Sequence, residues 1–454
     1  MLLLSLLGSL LGAVVLGSRS SAQRRPITSV AIAAVLIVTI PYWIGISFGS
    51  TFVPFSMMAL AALIVLCFKR LAFPFPLEAW LVVALLVAAT LSTAVRGSDP
   101  SDLIEITLVW GGAFTLGLSL AGRVRLNDAT RAMCWIAVWL SIWSIVEFAL
   151  DFHPFSELTK LGGPYDVWAP IQQRGSFSRS EGALGHSIAL GNVIAITMPF
   201  LIASRLAPVR KVMLIALAFS GIFLTFSRSA LLSAVAAIVI SLLFMSNRRL
   251  AVGTRQLLLA LAAAGIGFAV PLYAALVSSA SDEVDASTAY RSDYVTVLRH
   301  LQLLGPATNK VQLSDYSIGY VSPAYPGGVI KTVDNSVLLA GLQFGIVPMA
   351  IFAALVVLIP YRVVRNRSNV ALIAAASQTT SVLTFAMITQ YAYFYWLILG
   401  VAVGFMAIKD HEPRCDSVPS RQRDELSWTI RSASARRARL PREISDSSGR
   451  HTGP

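Results

Sequence analysis

Long apolar runs dominate this chain of 454 residues and limit what it can fold into. Many of them approach the roughly 20 residues that an α-helix needs to cross the hydrocarbon core of a bilayer. In lipid such a run must be helical, because the backbone has to satisfy its own hydrogen bonds. The runs lie at residues 2–17, 27–47, 51–68, 77–95, 103–121, 132–150, 185–206, 212–226, 229–246, 256–278, 334–360, 370–389 and 391–408. They predict an all-α fold, a polytopic transmembrane helix bundle of about 12–13 spans, whose first run reads either as a span or as a signal-like segment.

Composition excludes a soluble enzyme and argues against a nucleic-acid partner. Hydrophobic residues make up 56% of the chain and charged residues only 13%, well below the charge of a soluble surface. The net charge of +13 is concentrated in short clusters between apolar runs, where basic residues signal membrane topology. Neither the three cysteines nor the five histidines show the spacing of a disulfide or metal site. We therefore predict no metal and no cofactor.

The basic clusters also predict the orientation of the chain. Successive clusters are separated by an even number of predicted crossings, so all of them fall on one side, which the positive-inside rule assigns to the cytoplasm. Two long polar loops, 151–184 and 279–333, then lie outside. Residues 1–408 form one transmembrane domain, and 409–454 form a disordered cytoplasmic tail poor in large apolar residues. The clusters include Arg24, Lys69, Arg123, Arg210, Arg248 and Arg365.

The second outer loop contains a predicted amphipathic surface helix. Asp285 or Ser287 can cap its start, and Gly305 with Pro306 ends it. The helix either lies along the membrane, across the mouth of a cavity, or packs on top of the bundle, since both arrangements need an apolar stripe. Its apolar face consists of Tyr290, Tyr294, Val297, Leu298 and Leu301.

Three arginines are candidates for binding phosphate. Arg174 lies in a glycine-containing stretch of the first outer loop, and Arg291 lies on the predicted surface helix. Arg228 interrupts the apolar stretch 212–246, which reads either as one long helix or as two short spans joined by a tight outer turn. Basic residues at both ends of the stretch favour two spans. Arginine suits a diphosphate because its guanidinium offers a rigid fork of donors, although a loop arginine can also be merely solvated.

Two further side chains are candidates for acid–base chemistry. Asp334 precedes the run 334–360 and either caps a helix or acts as a general base beside an outward cavity. Gly341 and Gly345 follow it with a spacing that permits close helix packing. His186 stands at the start of the run 185–206, where it is either a second base candidate or simply a polar residue at a helix start.

In their order, these motifs resemble the O-antigen ligase and O-antigen polymerase superfamily of bacterial membrane glycosyltransferases. An outer-loop arginine, Arg174, precedes a glycine-containing span start with His186 and Gly191. A Ser-Arg-Ser-Ala turn follows at 227–230, then Arg291 at the start of the surface helix, and then Asp334 with Asn335. The likeness covers about residues 165–360.

The resemblance implies a substrate class and a chemistry. Members transfer a glycan from an undecaprenyl-diphosphate carrier to an acceptor hydroxyl, of a glycan or a lipid-glycan, at the outer face of the bacterial plasma membrane. It implies that Arg174, Arg228 and Arg291 bind the diphosphate without a metal. It also implies that Asp334 orients or deprotonates the acceptor. The ligase branch tends to have histidine where this chain has Asp334, which leaves ligase and polymerase both open.

Two other classes share parts of this pattern. A secondary transporter or a flippase for lipid-linked sugars would show repeated halves and broken helices at the midplane, whereas this chain has no internal repeat. A rod-shape or division-type peptidoglycan glycosyltransferase has similar topology and the same lipid carrier, but its loop motifs fit less well. We therefore expect a membrane glycosyltransferase of surface or exopolysaccharide assembly.

Overall fold

The structure, a computed structural model, is mostly helical with little strand, which confirms the predicted all-α class. The chain divides into two compact units, Met1–Ile408 and Lys409–Pro454. The predicted first span, most of the predicted surface helix and the tail beyond residue 411 lie outside the described residues. The described residues are 37–48, 51–67, 75–96, 100–122, 124, 126–157, 164–174, 177–245, 255–260, 262–263, 267, 297–314, 317–321, 329–330, 333–367 and 369–411.

The first described elements are a β-hairpin and a set of apolar helices. Strand β1 (Gly45–Phe48) pairs antiparallel with β2 (Thr51–Pro54). The end of the run 27–47 and the start of the run 51–68 are therefore strands, so the helical prediction is wrong for residues 45–47 and 51–54. The helices that follow are α1 (Phe55–Cys67), α2 (Leu77–Arg96), α3 (Pro100–Ile104), a π-helix (Glu105–Gly112), α4 (Ala113–Ala121) and α5 (Leu126–Leu150).

The middle of the chain contains the first long loop and three helices. The loop carries α6 (Pro154–Glu157), α7 (Pro164–Trp168), the antiparallel pair β3 (Gln173–Arg174) and β4 (Phe177–Ser178), and a 3-10 turn (Gly182–Leu184). Next come α8 (Ser187–Ala203), α9 (Pro208–Leu224) and α10 (Arg228–Phe244). The stretch 212–246 is thus two helices joined by a turn, as the flanking basic residues predict.

The last part of the chain returns from a small sheet to the helix bundle. Strands β5 (Lys310–Ser314), β6 (Ser317–Val321) and β7 (Val329–Ile330) form an antiparallel sheet in that order. The helices after it are α11 (Ser336–Phe344), α12 (Ile346–Arg365), α13 (Val370–Ser377), α14 (Thr379–Thr384) and α15 (Thr389–His411).

Five helical segments of the described chain combine the length and apolar character needed to cross a bilayer, and four apolar helices are shorter. Burial separates central from peripheral members. In the span Thr389–Ile408 89% of residues are buried inside the protein, against 33% in Ile346–Arg365. Helix α8 carries no charge and is buried almost all round, as expected for the centre of a bundle. The peripheral helices expose apolar side chains, which suits contact with lipid.

Glycines allow the central helices to approach closely. A Cβ atom on Gly117 of α4 would overlap the carbonyl oxygen of Leu397, and one on Gly400 would overlap that of Phe114. Gly404 continues this contact one turn later against Ala121. Such small residues let transmembrane helix backbones pack against each other.

The run predicted as one span at 334–360 is broken, so that prediction is wrong. Gly345 separates α11 from α12 with φ of 100°, which a residue with a side chain rarely adopts. The freed backbone groups are satisfied by a distant segment: Ile346 N donates to Gln302 O at 2.8 Å, and Val347 N to Leu303 O at 3.2 Å. Gly345 thus allows the chain to break between the two helices. At Gly341, a Cβ atom would lie 2.6 Å from Met349 Sδ of α12, so the missing side chain leaves room for this methionine.

Candidate functional site

Hydrogen bonds from Arg179 join the first long loop to the turn between α9 and α10. Its Nε donates to the carbonyl oxygen of Thr225 at 3.0 Å, and its Nη2 lies 3.5 Å from that of Phe226. Its Nη1 donates to Gln172 Oε1 at 3.1 Å within the loop. The planar guanidinium therefore joins two regions that are almost fifty residues apart. The sequence places Arg179 with Arg174 among glycines, a pattern that suits a diphosphate, but it does not predict these hydrogen bonds to the turn.

Arg228 is the first residue of α10, directly after that turn. Ser227 caps the helix, because its Oγ accepts a hydrogen bond from Ala230 N at 3.3 Å. The Arg228 side chain is exposed. The amino end of a helix carries a partial positive charge and unpaired backbone donors, so guanidinium and helix end together favour an anion.

Gly191 brings helix α8 against this turn. A Cβ atom there would lie 2.6 Å from Ala230 Cβ and 2.8 Å from Thr225 Oγ1, so only glycine fits. One residue on, Asn192 Nδ2 donates to Ile188 O at 2.9 Å and lies 3.5 Å from Ser229 Oγ. Gly191, at the glycine-containing start of this span, therefore has a packing role beside Arg228.

His186 caps the amino end of α8. Its Nδ1 accepts a hydrogen bond from Ile188 N at 3.2 Å, so Nδ1 carries no proton and a neutral ring holds its proton on Nε2. With Nδ1 accepting this bond, the neutral imidazole has Nε2–H as its hydrogen-bond donor.

Asn335, not Asp334, caps helix α11. Asn335 Oδ1 accepts a hydrogen bond from Leu338 N at 2.9 Å. The interpretation of Asp334 as the helix cap is therefore wrong. Asp334 is half-buried and lies just ahead of the capping residue. A carboxylate that is not needed for the cap remains a candidate for chemistry.

The end of α14 and the segment that follows it link His186 to the start of α11. The ring of Phe385 lies 5.4 Å from the imidazole of His186, centroid to centroid. Ser336 Oγ donates to Phe385 O at 2.7 Å, and Asn335 Nδ2 donates to Leu383 O at 2.9 Å. This segment had no functional assignment from the sequence.

Helix α14 extends the same connection to α10, since Ser233 Oγ and Thr380 Oγ1 lie 3.3 Å apart. The starts of α8, α10 and α11, which carry or follow His186, Arg228 and Asp334, are thus joined through residues 380–387. For Arg174 the structure describes the backbone alone, opposite Phe177 in the β3–β4 pair. Arg291 lies outside the described residues.

Backbone strain is concentrated in the same region. Apart from glycines, the positive φ angles among the described residues belong to Asp151 (46°), Phe226 (50°) and Thr389 (50°). Phe226 immediately precedes the cap of α10, and Thr389 follows the 385–388 segment. A bulky or β-branched residue is costly in this conformation, and such strain tends to persist at functional sites.

Aromatic rings form a patch beside Arg228. Phe226 stacks on Phe177, with ring centroids 6.0 Å apart, and contacts Phe148 and Phe223 at 5.7 and 6.3 Å. The side chain of Phe177 is 47% exposed. The patch therefore offers an accessible apolar surface at the turn that precedes Arg228.

Two buried carboxylates support the loop that carries Arg179. Glu147 Oε2 of α5 accepts hydrogen bonds from Glu181 N at 3.0 Å and Gly182 N at 2.9 Å. Glu181 Oε1 accepts from Gln172 N at 3.0 Å, and burial raises the pKa of Glu181 to about 7, with the Glu147 carboxylate adding to the rise. A signal for Glu147 exists in the sequence, because it is the one acid within the apolar run 132–150.

Residues 213–353 match the family model described as O-antigen ligase. The matched segment contains Arg228, Arg291 and Asp334. No curated protein is significantly similar to the chain. The match confirms the resemblance to the O-antigen ligase and polymerase superfamily. At a coarse level, the match supports O-antigen ligase-like glycan transfer by a membrane protein, and the family implies a lipid-linked glycan donor and a glycan acceptor.

Proposed function

We propose that this protein transfers a glycan from an undecaprenyl-diphosphate carrier to an acceptor hydroxyl at the outer face of the bacterial plasma membrane. The transfer, ligase-like or polymerase-like, would serve surface or exopolysaccharide assembly. The observation that carries the proposal is the exposed Arg228 at the amino end of α10, on a turn that Arg179 fastens to the first long loop. His186 and the two residues after Asp334 contact residues 383–385, and Thr380 of the preceding helix contacts α10.

The donor diphosphate binds at Arg228 in this proposal. Its oxygens accept from the guanidinium and face the amino end of α10, where two positive sources act together. Arg174 and Arg291 complete the site as further phosphate ligands. The isoprenoid chain lies along the exposed Phe177 and its stacked partner Phe226, because an apolar chain must leave the diphosphate toward lipid.

Transfer forms one bond and breaks one. The acceptor oxygen attacks the anomeric carbon of the donor sugar, and the bond from that carbon to the diphosphate oxygen breaks. Asp334 takes the proton of the acceptor hydroxyl, and undecaprenyl diphosphate leaves with its negative charge stabilised by the arginines. His186 donates a hydrogen bond from Nε2 to a substrate oxygen, since its Nδ1 is occupied by the helix cap.

Placement in the membrane follows the distribution of charge. We assign the end of the bundle with Arg228 to the outer side and the end with Arg205 and Arg210 to the cytoplasm, together with the tail 409–454. The loops 151–184 and 279–333 then lie outside, and 1–408 is the catalytic membrane domain.

A reconstituted transfer assay tests the proposal. Purified protein, an undecaprenyl-diphosphate-linked glycan and an acceptor glycan should yield product without an ion gradient and in the presence of a chelator. Arg228→Ala should lower the rate by about two to three orders of magnitude, the usual loss for a preorganised charge donor. Arg228→Lys should restore it only partly, because lysine lacks the planar fork.

Arg210→Ala is the matched control, since Arg210 is an exposed arginine at the far end of α9. It should transfer at the wild-type rate. Lipid movement across the bilayer that depends on a gradient, without product, would identify a transporter instead. Full activity of Arg228→Ala would remove the arginine from the proposed site.

A further inference from the structure

A cavity of about 480 Å³ lies between α5, α8 and α9, away from the candidate site. It is lined by the first turns of α5, by the turn between α8 and α9, and by Leu214 of α9. Helix α8 starts beside the candidate site and ends here, and α9 runs back from here to the turn that Arg179 holds. Each of these helices has 17 residues, so roughly 25 Å separate the cavity from the site.

Basic side chains surround the cavity with little opposing charge. Arg131 and Arg205 line it, and Lys211 lies next to the lining residue Cys134 and is only 6% exposed. Arg131, whose side chain is 81% exposed, has Asp128 at 3.9 Å in a weak ion pair. Among the described residues, no acidic side chain forms an ion pair with Arg205 or Lys211. The cavity therefore favours a negatively charged occupant.

The remaining lining distinguishes a lipid from a small anion. Trp135, Val138 and Leu214 provide an apolar wall, and Trp135 is 72% exposed toward the periphery of the bundle. Thr130 and Ser204 use their hydroxyl protons on carbonyls of their own helices at 2.7 Å. A free phosphate would leave the apolar wall uncovered, whereas a phospholipid covers it with an acyl chain while its phosphate meets the cations.

We propose that this cavity is a binding site for one anionic phospholipid. The phosphate lies between Arg205, Arg131 and Lys211, and an acyl chain runs along Trp135 and Val138 into the surrounding lipid. Basic pockets between transmembrane helices on the cytoplasmic side suit such head groups, and the predicted orientation puts this end there. The site is independent of glycan transfer, because it lies at the opposite end of α8.

Native mass spectrometry of the full-length protein with phosphatidylglycerol tests this proposal. Wild type should retain one phosphatidylglycerol more tightly than phosphatidylcholine, and thermal unfolding should shift upward in parallel. Arg205→Gln should weaken binding about fivefold, the usual contribution of one basic residue near an anionic lipid. Val138→Trp keeps every charge but fills the apolar part, and it should also exclude the lipid.

Arg210→Gln removes an exposed positive charge one residue from Lys211 without touching the cavity lining, so it should bind like wild type. Equal weakening by Arg210→Gln would mean that bulk charge attracts the lipid, and the site would be rejected. Equal binding of phosphatidylcholine would overturn it too. Displacement of the lipid by glycerol phosphate at equal concentration would point to a soluble phosphate site and would also contradict the proposal.

Discussion

Helices α8 and α9 have basic residues near both of their ends, yet the two ends differ in how those residues are held. At the candidate site, Arg179 makes hydrogen bonds to Thr225 and Gln172, and this turn presents Arg228. At the opposite end, Arg205 lines a cavity and Lys211 lies next to the lining residue Cys134, and neither has an acidic partner among the described residues.

Charge alone therefore does not identify the reaction centre. A catalytic arginine has to be positioned before the transition state forms, because preorganised charge costs no rearrangement during the reaction. The site end provides that positioning through Arg179, the close approach at Gly191 and the strained Phe226. The other end offers cations and apolar walls, which suit a lipid that needs no fixed geometry.

The largest expected effect distinguishes Asp334 from its capping neighbour. Asp334→Asn should lower glycan transfer by about two to four orders of magnitude, because amide nitrogen cannot accept the acceptor proton. Donor binding and expression should be retained. The measurement is the transfer rate of the purified variant.

Asn335→Ala is the matched control for this position. It removes the cap of α11 and the hydrogen bond to Leu383 O but keeps Asp334, so it should lower the free energy of unfolding by about 1 to 2 kcal/mol and lower transfer far less than Asp334→Asn does. If Asp334→Asn transfers normally, Asp334 has no catalytic role and His186 becomes the next base to test.

Arg179 should come second in effect, because it acts through the turn that carries Arg228. Arg179→Lys cannot reach both Thr225 and Gln172 with a planar fork, so we expect transfer to fall about tenfold or more. Arg179 is a positioning residue in this account. The loss should therefore appear mainly in kcat, with the pH profile of transfer unchanged. A variant with wild-type kcat would show that the hydrogen bonds of Arg179 to the loop and the turn are not needed for transfer.

Gly185 allows a smaller, purely structural test of the site end. Its φ of 65° and the approach of Trp43 Cζ3 to 2.7 Å of a built Cβ leave no room for a side chain. Gly185→Ala should cost about 2 to 4 kcal/mol of stability, measured by thermal unfolding in detergent. Gly267→Ala is the control, since nothing lies within 4 Å of a Cβ there, and its change should stay within about 0.5 kcal/mol.

The smallest expected effect concerns the pH dependence of stability. Burial raises the pKa of Glu181 from 4.5 to about 7, so between these values the folded protein binds more protons than the unfolded chain. This contribution to stability is complete below 4.5 and is lost as the pH rises through about 7. Arg179 opposes the rise of this pKa and Glu147 adds to it, and both face Glu181.

Glu181→Gln cannot ionise, although its amide oxygen can still accept from Gln172 N. From about pH 5 to about pH 8 the variant should therefore gain roughly 1 to 3 kcal/mol relative to wild type. Thermal unfolding at several pH values measures the difference. Parallel curves for the two proteins would show that Glu181 titrates normally in the folded state.

The sequence was sufficient to predict features that depend on local composition. Apolar runs predict the helices, and the basic residues around 212–246 predict two helices with Arg228 at their turn, as observed. The order of the motifs predicts the superfamily that the family model confirms.

Features that depend on distant contacts could not be predicted in this way. Helix 334–360 breaks at Gly345 because residues 302–303 supply carbonyls to Ile346 and Val347. The sequence presents Arg179 as one of two arginines that could bind a diphosphate, and only the structure shows its hydrogen bond to Thr225 O. Likewise, only the side-chain geometry shows that Asn335 rather than Asp334 caps α11. The roles of Arg174 and Arg291 stay predictions from the resemblance.

The most direct test of this account is the dissociation constant of undecaprenyl diphosphate for wild type, Arg228→Ala and Arg210→Ala under the same conditions. Arg228→Ala should bind undecaprenyl diphosphate at least about tenfold more weakly than wild type, the loss expected for a hydrogen bond to a charged group, and Arg210→Ala should bind it like wild type. Unchanged binding by Arg228→Ala, or equal weakening by both variants, would contradict the claim that the turn before α10 binds the donor diphosphate.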